Sequence, residues 1–138
     1  GYGLPAPIMD EAERLAAELR IPFVFDTYDH AAWRECIQGY EDEPEGGARC
    51  ERCFAFSLSR AAAYARREGF DLYTTTLSIS PHKRSATLFR VGREQGRFLD
   101  VDLKKQGGFQ RSLELSRQYN LYRQDYCGCE FSLAQKPL

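Results

Sequence analysis

The order of its helical and strand-like segments constrains the fold of this 138-residue chain most strongly. Apolar residues recur at helical spacing in five segments: 10–20, 29–36, 50–69, 83–95 and 109–119. β-branched and aromatic residues predict strands in three others: 21–28, 70–77 and 97–103. Strands that alternate with helices favour a mainly parallel sheet with helices on both faces. We therefore predict an α/β fold, with residues 1–138 forming a single three-layer domain.

Residues at the ends of the predicted helices support these boundaries. Asp10 and Asp29 are predicted N-caps, because a carboxylate accepts hydrogen bonds from the first free N–H groups of a helix. Gly69 and Gly96 follow predicted helices, at positions that favour a left-handed residue. The tail from Leu121 onward is predicted to be irregular.

Composition limits the functional classes. The net charge is −1, from 19 basic and 20 acidic residues, so bulk charge neither favours nor excludes a nucleic-acid partner. No apolar run approaches the roughly 18 residues of a membrane span, and no segment resembles a signal peptide. Five cysteines in such a chain indicate a reducing compartment, where spaced cysteines commonly bind metals or act in redox reactions. We expect a cytoplasmic protein.

Cys50 and Cys53 form a C-x-x-C motif at the start of a predicted helix. Residues three apart share a helix face, and a helix N-terminus favours the thiolate form that binds metal. Arg49 and Arg52 add positive charge nearby. Four interpretations remain: half of a zinc site, part of an iron–sulfur cluster, a thioredoxin-like pair, or two buried cysteines. The thioredoxin interpretation is weak, because the C-x-x-C motif of a thioredoxin should follow the first strand of the thioredoxin fold.

Cys127-Gly128-Cys129 forms a second and less common pair. The glycine allows both sulfurs to face one side, and a disulfide across this spacing would be strained and easily reduced. The pair therefore favours redox chemistry, although it could also complete a four-cysteine zinc site with Cys50 and Cys53. Cys36 has no partner at a meaningful spacing, and we predict that it is a core residue.

Hydroxyl and basic residues give weaker signals. Hydroxyl side chains at the end of a predicted strand could bind a phosphate, a ribose or a base, or could simply cap a helix: Thr74, Thr75, Thr76, Ser78 and Ser80. His82 could be an acid or a surface residue, and His30 is predicted at a helix start. Basic residues alternate with tyrosines in the last third: Lys104, Lys105, Arg111, Arg117, Tyr119, Tyr122, Arg123 and Tyr126. This pattern suits single-stranded RNA and equally a solvated helix face.

Four segments together resemble the QueH family of epoxyqueuosine reductases. They are RCERCF at 49–54, TTTLSISPHK at 74–83, the segment 104–132 that includes YRQDYCGC, and EDEPEGG at 41–47. The resemblance runs from about residue 21, and its long C-terminal segment is more specific than either cysteine pair.

The resemblance implies a reaction and a set of site residues. Members of the family reduce the epoxide of epoxyqueuosine in the anticodon loop of tRNA to the alkene of queuosine, the last step of queuosine biosynthesis. By this resemblance, Cys50 and Cys53 would bind a [4Fe–4S] cluster, and Cys127 and Cys129 would form a redox-active dithiol or disulfide. An electron donor of unknown identity is also implied, and no membrane partner.

This chain departs from the family pattern at two points. The family begins with a strand and a paired-cysteine motif that supplies the other cluster ligands, and no adjacent cysteine pair occurs here. We therefore expect a Rossmann-like, nucleotide α-hydrolase-like fold that lacks its first strand, with an exposed sheet edge and weak stability in isolation. Ser57 also stands where the family often has arginine.

Two other functional classes compete with the reductase. One is a zinc-stabilised tRNA-binding module without redox activity, in which all four paired cysteines are structural. The other is a thiol–disulfide oxidoreductase that acts on proteins and needs no metal.

Overall fold

A computed structural model describes residues 6–135, and it is predominantly helical. Its α-helices are α1 (Ala6–Glu18), α2 (His30–Cys36), α3 (Ala48–Arg67), α4 (Ser85–Glu94), α5 (Gly108–Gln118) and α6 (Glu130–Ala134). One turn of 3₁₀ helix spans Leu77–Ile79. Helices α1 to α5 confirm the five predicted helices, with shifted ends, whereas α6 lies in the tail that was predicted to be irregular.

The prediction of a mainly parallel three-layer sheet is wrong. Within residues 6–135 the β pairing consists of one isolated parallel bridge between Tyr73 and Phe98. A sheet needs backbone N–H and C=O groups to pair along several residues of neighbouring strands, and strand propensity alone does not supply such a neighbour. Segment 21–28 is irregular, and its apolar side chains are largely exposed: Ile21, Phe23, Val24, Phe25 and Tyr28.

The helix ends follow local capping chemistry in most places. The Asp29 carboxylate accepts a hydrogen bond from the Ala32 N–H at 2.9 Å, which confirms Asp29 as the N-cap of α2. Asp10 lies inside α1, so its predicted role as an N-cap is wrong. Gly69 has φ of +77°, and the Phe70 N–H returns to the Ala65 carbonyl at 2.8 Å, as in a Schellman-type C-terminus.

The chain forms two compact units. One unit runs up to Arg34 and resumes at Leu113, and the other is Glu35–Ser112. In the second unit α3 packs against α4, and its buried apolar side chains are Ile37, Leu58, Ala62, Ala65, Leu88 and Val91. In the first unit Trp33 is buried. The predicted single domain of residues 1–138 stays a prediction.

Two of the predicted strands lie side by side within the second unit. The Tyr73 N–H donates to the Arg97 carbonyl at 2.9 Å, and the Leu99 N–H donates to the Tyr73 carbonyl at 2.8 Å. The buried Ser78 hydroxyl donates to the Val101 carbonyl at 2.8 Å and accepts from the Leu103 N–H at 3.1 Å. The two predicted strands are thus parallel and joined by hydrogen bonds, although they do not form a regular β-ladder.

In the described part of the chain, no helix has both the length and the apolar character required to cross a membrane.

Candidate active site

The C-G-C pair lies in the loop that leads into α6. Gly128 has φ of +109°, in the left-handed region that side chains other than glycine rarely adopt. Cys129 returns to an extended conformation, with φ of −93° and ψ of 161°, and is the N-cap of α6. Both cysteines are reduced thiols, and each is half-buried. Glycine therefore permits the turn that carries Cys129 onto the start of the helix.

The sulfur of Cys129 has a defined polar environment. The Ser132 N–H donates to this sulfur at 3.4 Å, and the thiol donates to the Ser132 hydroxyl oxygen at 3.5 Å. Burial acts to raise the pKa of Cys129. Hydrogen bonding with the Ser132 side chain and with the backbone N–H groups of Ser132 and Phe131 outweighs burial, so the pKa lies below its ordinary value. These contacts therefore shift Cys129 towards the thiolate, the reactive form of cysteine, relative to an isolated cysteine.

A cavity of about 260 Å³ opens beside Cys129. All of the residues that line it belong to one unit: Tyr28, His30, Trp33, Tyr126, Gly128, Cys129, Glu130 and Leu133. Burial, followed by the negative charge of Glu130, raises the pKa of Tyr28. Its hydroxyl therefore stays protonated at neutral pH. The cavity combines aromatic rings with one activated thiol, as sites for ring-containing ligands often do.

Helix α2 supplies one wall of this cavity. The His30 ring stacks on the buried Trp33 with centroids 5.7 Å apart, and His30 Nε2 lies 3.1 Å from Glu130 Oε1. Arg34 reaches the same Glu130 oxygen at 3.4 Å. Phe131 packs against Trp33 with centroids 6.2 Å apart. His30 was predicted only as a helix-start residue, and its place beside the cavity depends on contacts about 100 residues apart in sequence.

Cys50 and Cys53 lie in the first turns of α3, as predicted. The Gly46 N–H donates to the Cys50 sulfur at 3.2 Å, so the loop before α3 brings one backbone donor to this thiol. Both thiols are half-buried. These two cysteines belong to the unit Glu35–Ser112, whereas Cys127 and Cys129 belong to the other unit.

The two arginines near Cys50 and Cys53 have different roles. Arg49 is buried, with 3% of its surface exposed, and donates to the backbone carbonyls of Glu41 and Glu43. It therefore holds the acidic loop 41–47 against α3. Arg52 lies over the Tyr40 ring, 4.4 Å from its centroid, and donates to the Cys36 carbonyl at 3.3 Å.

A third thiol, Cys36, lies in this region, and we did not predict that from the sequence. The Cys36 sulfur donates to the Arg52 carbonyl at 3.5 Å. Its pKa is raised by burial, and the neighbouring Cys53 adds to the shift while Arg52 opposes it. The contact joins residues 16 apart on two helices, so no local spacing signals it.

The thiols of α3 fit part of a cluster site. A [4Fe–4S] cluster usually takes four cysteine thiolates. Cys50 and Cys53 lie one helical turn apart, with an amide donor at one sulfur, and so provide two suitable ligands. Among residues 6–135, no three His, Cys, Asp or Glu side chains converge into a metal-binding group.

The hydroxyl side chains at the end of the predicted strand 70–77 form hydrogen bonds mainly with backbone groups. Thr74 donates to the Leu99 carbonyl at 2.7 Å, and Thr75 accepts from the Leu77 N–H at 3.1 Å. Ser80 accepts from the N–H of the exposed His82 at 3.2 Å. These contacts favour the capping interpretation over a ligand site.

The basic and aromatic residues of the last third have mixed environments. Lys104 is engaged by Asp102 at 3.3 Å and by the Ser85 hydroxyl. Arg123 donates to the Ser116 hydroxyl at 2.9 Å, and Tyr122 is about half exposed. Arg117 is also exposed, so the unit that holds the C-G-C pair has accessible cationic and aromatic groups.

Comparison with known proteins identifies the family. The family model described as epoxyqueuosine reductase QueH matches residues 8–135. The chain is similar to epoxyqueuosine reductase QueH of Streptococcus pyogenes serotype M1, with 43% identity over 70% of this chain and 40% of the relative. It is also similar to the proteins of that name from Histophilus somni strain 129Pt and Thermotoga maritima. The first shows 37% identity over 90% of this chain and 54% of the relative. The second shows 36% identity over 81% of this chain and 61% of the relative.

The chain spans about half the length of these curated relatives. The matched segment includes both cysteine pairs, the acidic loop and the long C-terminal segment. This chain therefore belongs to the QueH family of epoxyqueuosine reductases.

Proposed function

We propose that this chain carries the thiol chemistry of an epoxyqueuosine reductase, which reduces the epoxide of epoxyqueuosine in tRNA to the alkene of queuosine. The observation that carries the proposal is the family match over residues 8–135, which includes Cys50, Cys53, Cys127 and Cys129. The cavity beside Cys129 supports it, because a ring-bearing substrate needs a recess next to the reacting thiol.

The proposed reaction balances with the C-G-C pair as the dithiol. Oxidation of Cys127 and Cys129 to one disulfide releases two electrons and two protons. Both C–O bonds of the epoxide break, the oxygen leaves as water with those protons, and an alkene remains. An external electron donor must then reduce the disulfide before the next turnover.

The cavity residues have supporting roles in this proposal. The thiolate-favouring contacts at Cys129 supply the nucleophilic sulfur. The protonated Tyr28 hydroxyl is a hydrogen-bond donor at neutral pH. Trp33 and Tyr126 provide apolar surface that limits the access of water to the reacting ring.

Cys50 and Cys53 are the proposed cluster ligands of this chain. When bound, a [4Fe–4S] cluster supplies one-electron transfer and a Lewis-acidic iron. The Gly46 N–H that donates to Cys50 supports this role, because amide hydrogen bonds stabilise the charge on a ligating sulfur.

The proposed macromolecular partner is the anticodon loop of tRNA, and the proposed location is the cytoplasm. Tyr122, Arg117 and Arg123 are exposed and could stack on unpaired bases and contact phosphates.

Metal and acid-labile sulfide analysis of protein purified without oxygen tests this proposal. We expect iron with a matching amount of sulfide in the wild type, and loss of both in Cys50→Ser and Cys53→Ser. Cys36→Ser is the matched control and should retain the iron. Stoichiometric zinc without sulfide would instead support a structural tRNA-binding module, and absence of metal would contradict the ligand roles of Cys50 and Cys53.

A further inference from the structure

An exposed apolar stretch, residues 21–25, connects α1 to α2. The exposed fractions are 56% for Ile21, 40% for Phe23, 63% for Val24 and 45% for Phe25. The stretch contains no turn or bend and no positive φ, so its backbone is extended. The Phe23 and Phe25 rings meet edge to face with centroids 4.7 Å apart, as side chains on one face of an extended chain do. Apolar side chains therefore meet solvent on both faces.

The backbone of this stretch is available for β-pairing. Within residues 6–135, Phe23, Val24 and Phe25 take part in no backbone hydrogen bond. The Ile21 N–H donates to the Ala16 carbonyl at 2.9 Å, which ties the start of the stretch to the end of α1. An extended apolar segment with unpaired N–H and C=O groups is a template for another strand.

Opposite charges flank the stretch and give it a preferred partner. Arg20 precedes it and Asp26 follows it, and both are exposed. When two copies align antiparallel about Phe23, Arg20 of each copy stands opposite Asp26 of the partner subunit. Opposite charges at facing positions stabilise an antiparallel pair, so the segment is complementary to itself in this register.

The same register suits Pro22. With Phe23 at a hydrogen-bonded position, Pro22 and Val24 face each other at non-hydrogen-bonded positions, where backbone N–H groups point away from the partner. The missing N–H of proline therefore removes no bond between the copies. Because the Ile21 N–H is already used within its own copy, the bonds between copies come from the N–H groups of Phe23 and Phe25.

We propose that residues 21–25 are an interface between two copies of this chain, which pair as antiparallel strands centred on Phe23. A twofold pairing joins the segment to itself and closes after two copies, so it produces a dimer rather than a fibre. Five residues per copy bury less than the roughly 800 Å² per partner of a standard interface, so the dimer is weak and depends on concentration. The inference does not depend on the proposed reductase function.

Sedimentation velocity over a micromolar concentration series, with reductant to exclude intermolecular disulfides, tests this inference. We expect a monomer–dimer equilibrium in the wild type. Phe23→Pro removes an N–H that bonds the partner and should abolish the dimer, whereas Val24→Pro removes an N–H that points away and should retain it. Far-UV circular dichroism checks that each variant keeps its helices. A monomer at every concentration, or equal association of the two proline variants, would overturn the inference.

A charge exchange tests the register. Arg20→Asp and Asp26→Arg should each weaken the dimer about tenfold, because two facing pairs change from attraction to repulsion. Aspartate also tolerates the Arg20 backbone, which has φ of +56°. The double variant should restore the wild-type dissociation constant. Arg117→Asp, an equal charge change at an exposed position, should leave dimerisation unchanged. A double variant as weak as either single variant would contradict the pairing about Phe23.

Discussion

Gly128 sets the geometry of the C-G-C pair because its φ of +109° is accessible mainly to glycine. We expect Gly128→Ala to destabilise the protein by about 1–3 kcal/mol, through backbone strain, and to disturb the cap at Cys129. The measurement is the equilibrium of the Cys127–Cys129 pair with reduced and oxidised glutathione, together with Tm.

Gly69→Ala is the matched control for this prediction. Gly69 also has a positive φ, of +77°, but lies in the unit that lacks the C-G-C pair. The Gly69→Ala variant should also lower Tm through backbone strain, and it should leave the thiol equilibrium unchanged. An unchanged equilibrium in Gly128→Ala would show that the glycine is not needed for the redox geometry.

Tyr73 gives a pH-dependent contribution to stability. Its hydroxyl donates to the Gly92 carbonyl at 2.9 Å, and burial raises its pKa above the ordinary value of 10.0, with Arg66 partly opposing the shift. Because the folded-state pKa is raised, this contribution is fully present below the unfolded pKa and is lost as pH rises through the folded pKa. At pH 8, Tyr73→Phe should therefore cost about 1 kcal/mol, mainly through loss of the hydrogen bond.

Chemical denaturation at pH 8 and at a pH above the ordinary tyrosine value checks this sign. The free-energy difference between wild type and Tyr73→Phe should shrink at the higher pH. Tyr122→Phe, at an exposed position, should leave the free energy of unfolding unchanged at both pH values. A difference that grows with pH would contradict the assignment.

Among the helices, α2 begins at an N-cap residue whose side chain forms the capping hydrogen bond. The Asp29 carboxylate accepts the Ala32 N–H at 2.9 Å, and α2 carries both His30 and Trp33. Asp29→Ala should lower the free energy of unfolding by about 1 kcal/mol, whereas Asp29→Asn should retain most of it, since asparagine caps equally well. Equal stability of Asp29→Ala and wild type in urea would argue against this cap.

Helix α4 contains a glycine that its packing requires. A Cβ at Gly92 would lie 2.5 Å from the Phe98 ring, so Gly92→Ala should destabilise the protein despite alanine's higher helix propensity. Ala86→Gly, at an exposed position of the same helix, is the reciprocal control and should cost about 1 kcal/mol. A higher Tm for Gly92→Ala would contradict this packing.

Local patterns predicted the helices well, whereas the prediction of a sheet was wrong, and both outcomes have physical reasons. The apolar stripe of α3, its glycine terminus and the Asp29 cap are encoded within a few residues of each other, so the sequence reveals them. A sheet depends on partners distant in sequence, and the β-branched segment 21–28 has strand propensity without forming a strand. Within residues 6–135, only the approach of Tyr73 to Phe98 retains the predicted parallel arrangement.

At the scale of the whole molecule, spacing and resemblance identified the thiol pairs, but not their surroundings. Cys129 as an N-cap, the His30–Glu130 contact and the proximity of Cys36 to Cys53 depend on tertiary packing or on an unusual cap. The two pairs belong to different units, and their joint action in one reaction stays a proposal.

The most direct test of the central claim is reduction of epoxyqueuosine in tRNA by anaerobically purified protein, with dithionite as the electron donor and nucleoside mass spectrometry as the readout. We predict conversion to queuosine by the wild type and by the Cys36→Ser control. We predict at least a hundredfold loss in Cys127→Ser and in Cys129→Ser, about the loss expected when a nucleophile or its redox partner is removed. Full turnover by both serine variants would contradict the dithiol mechanism.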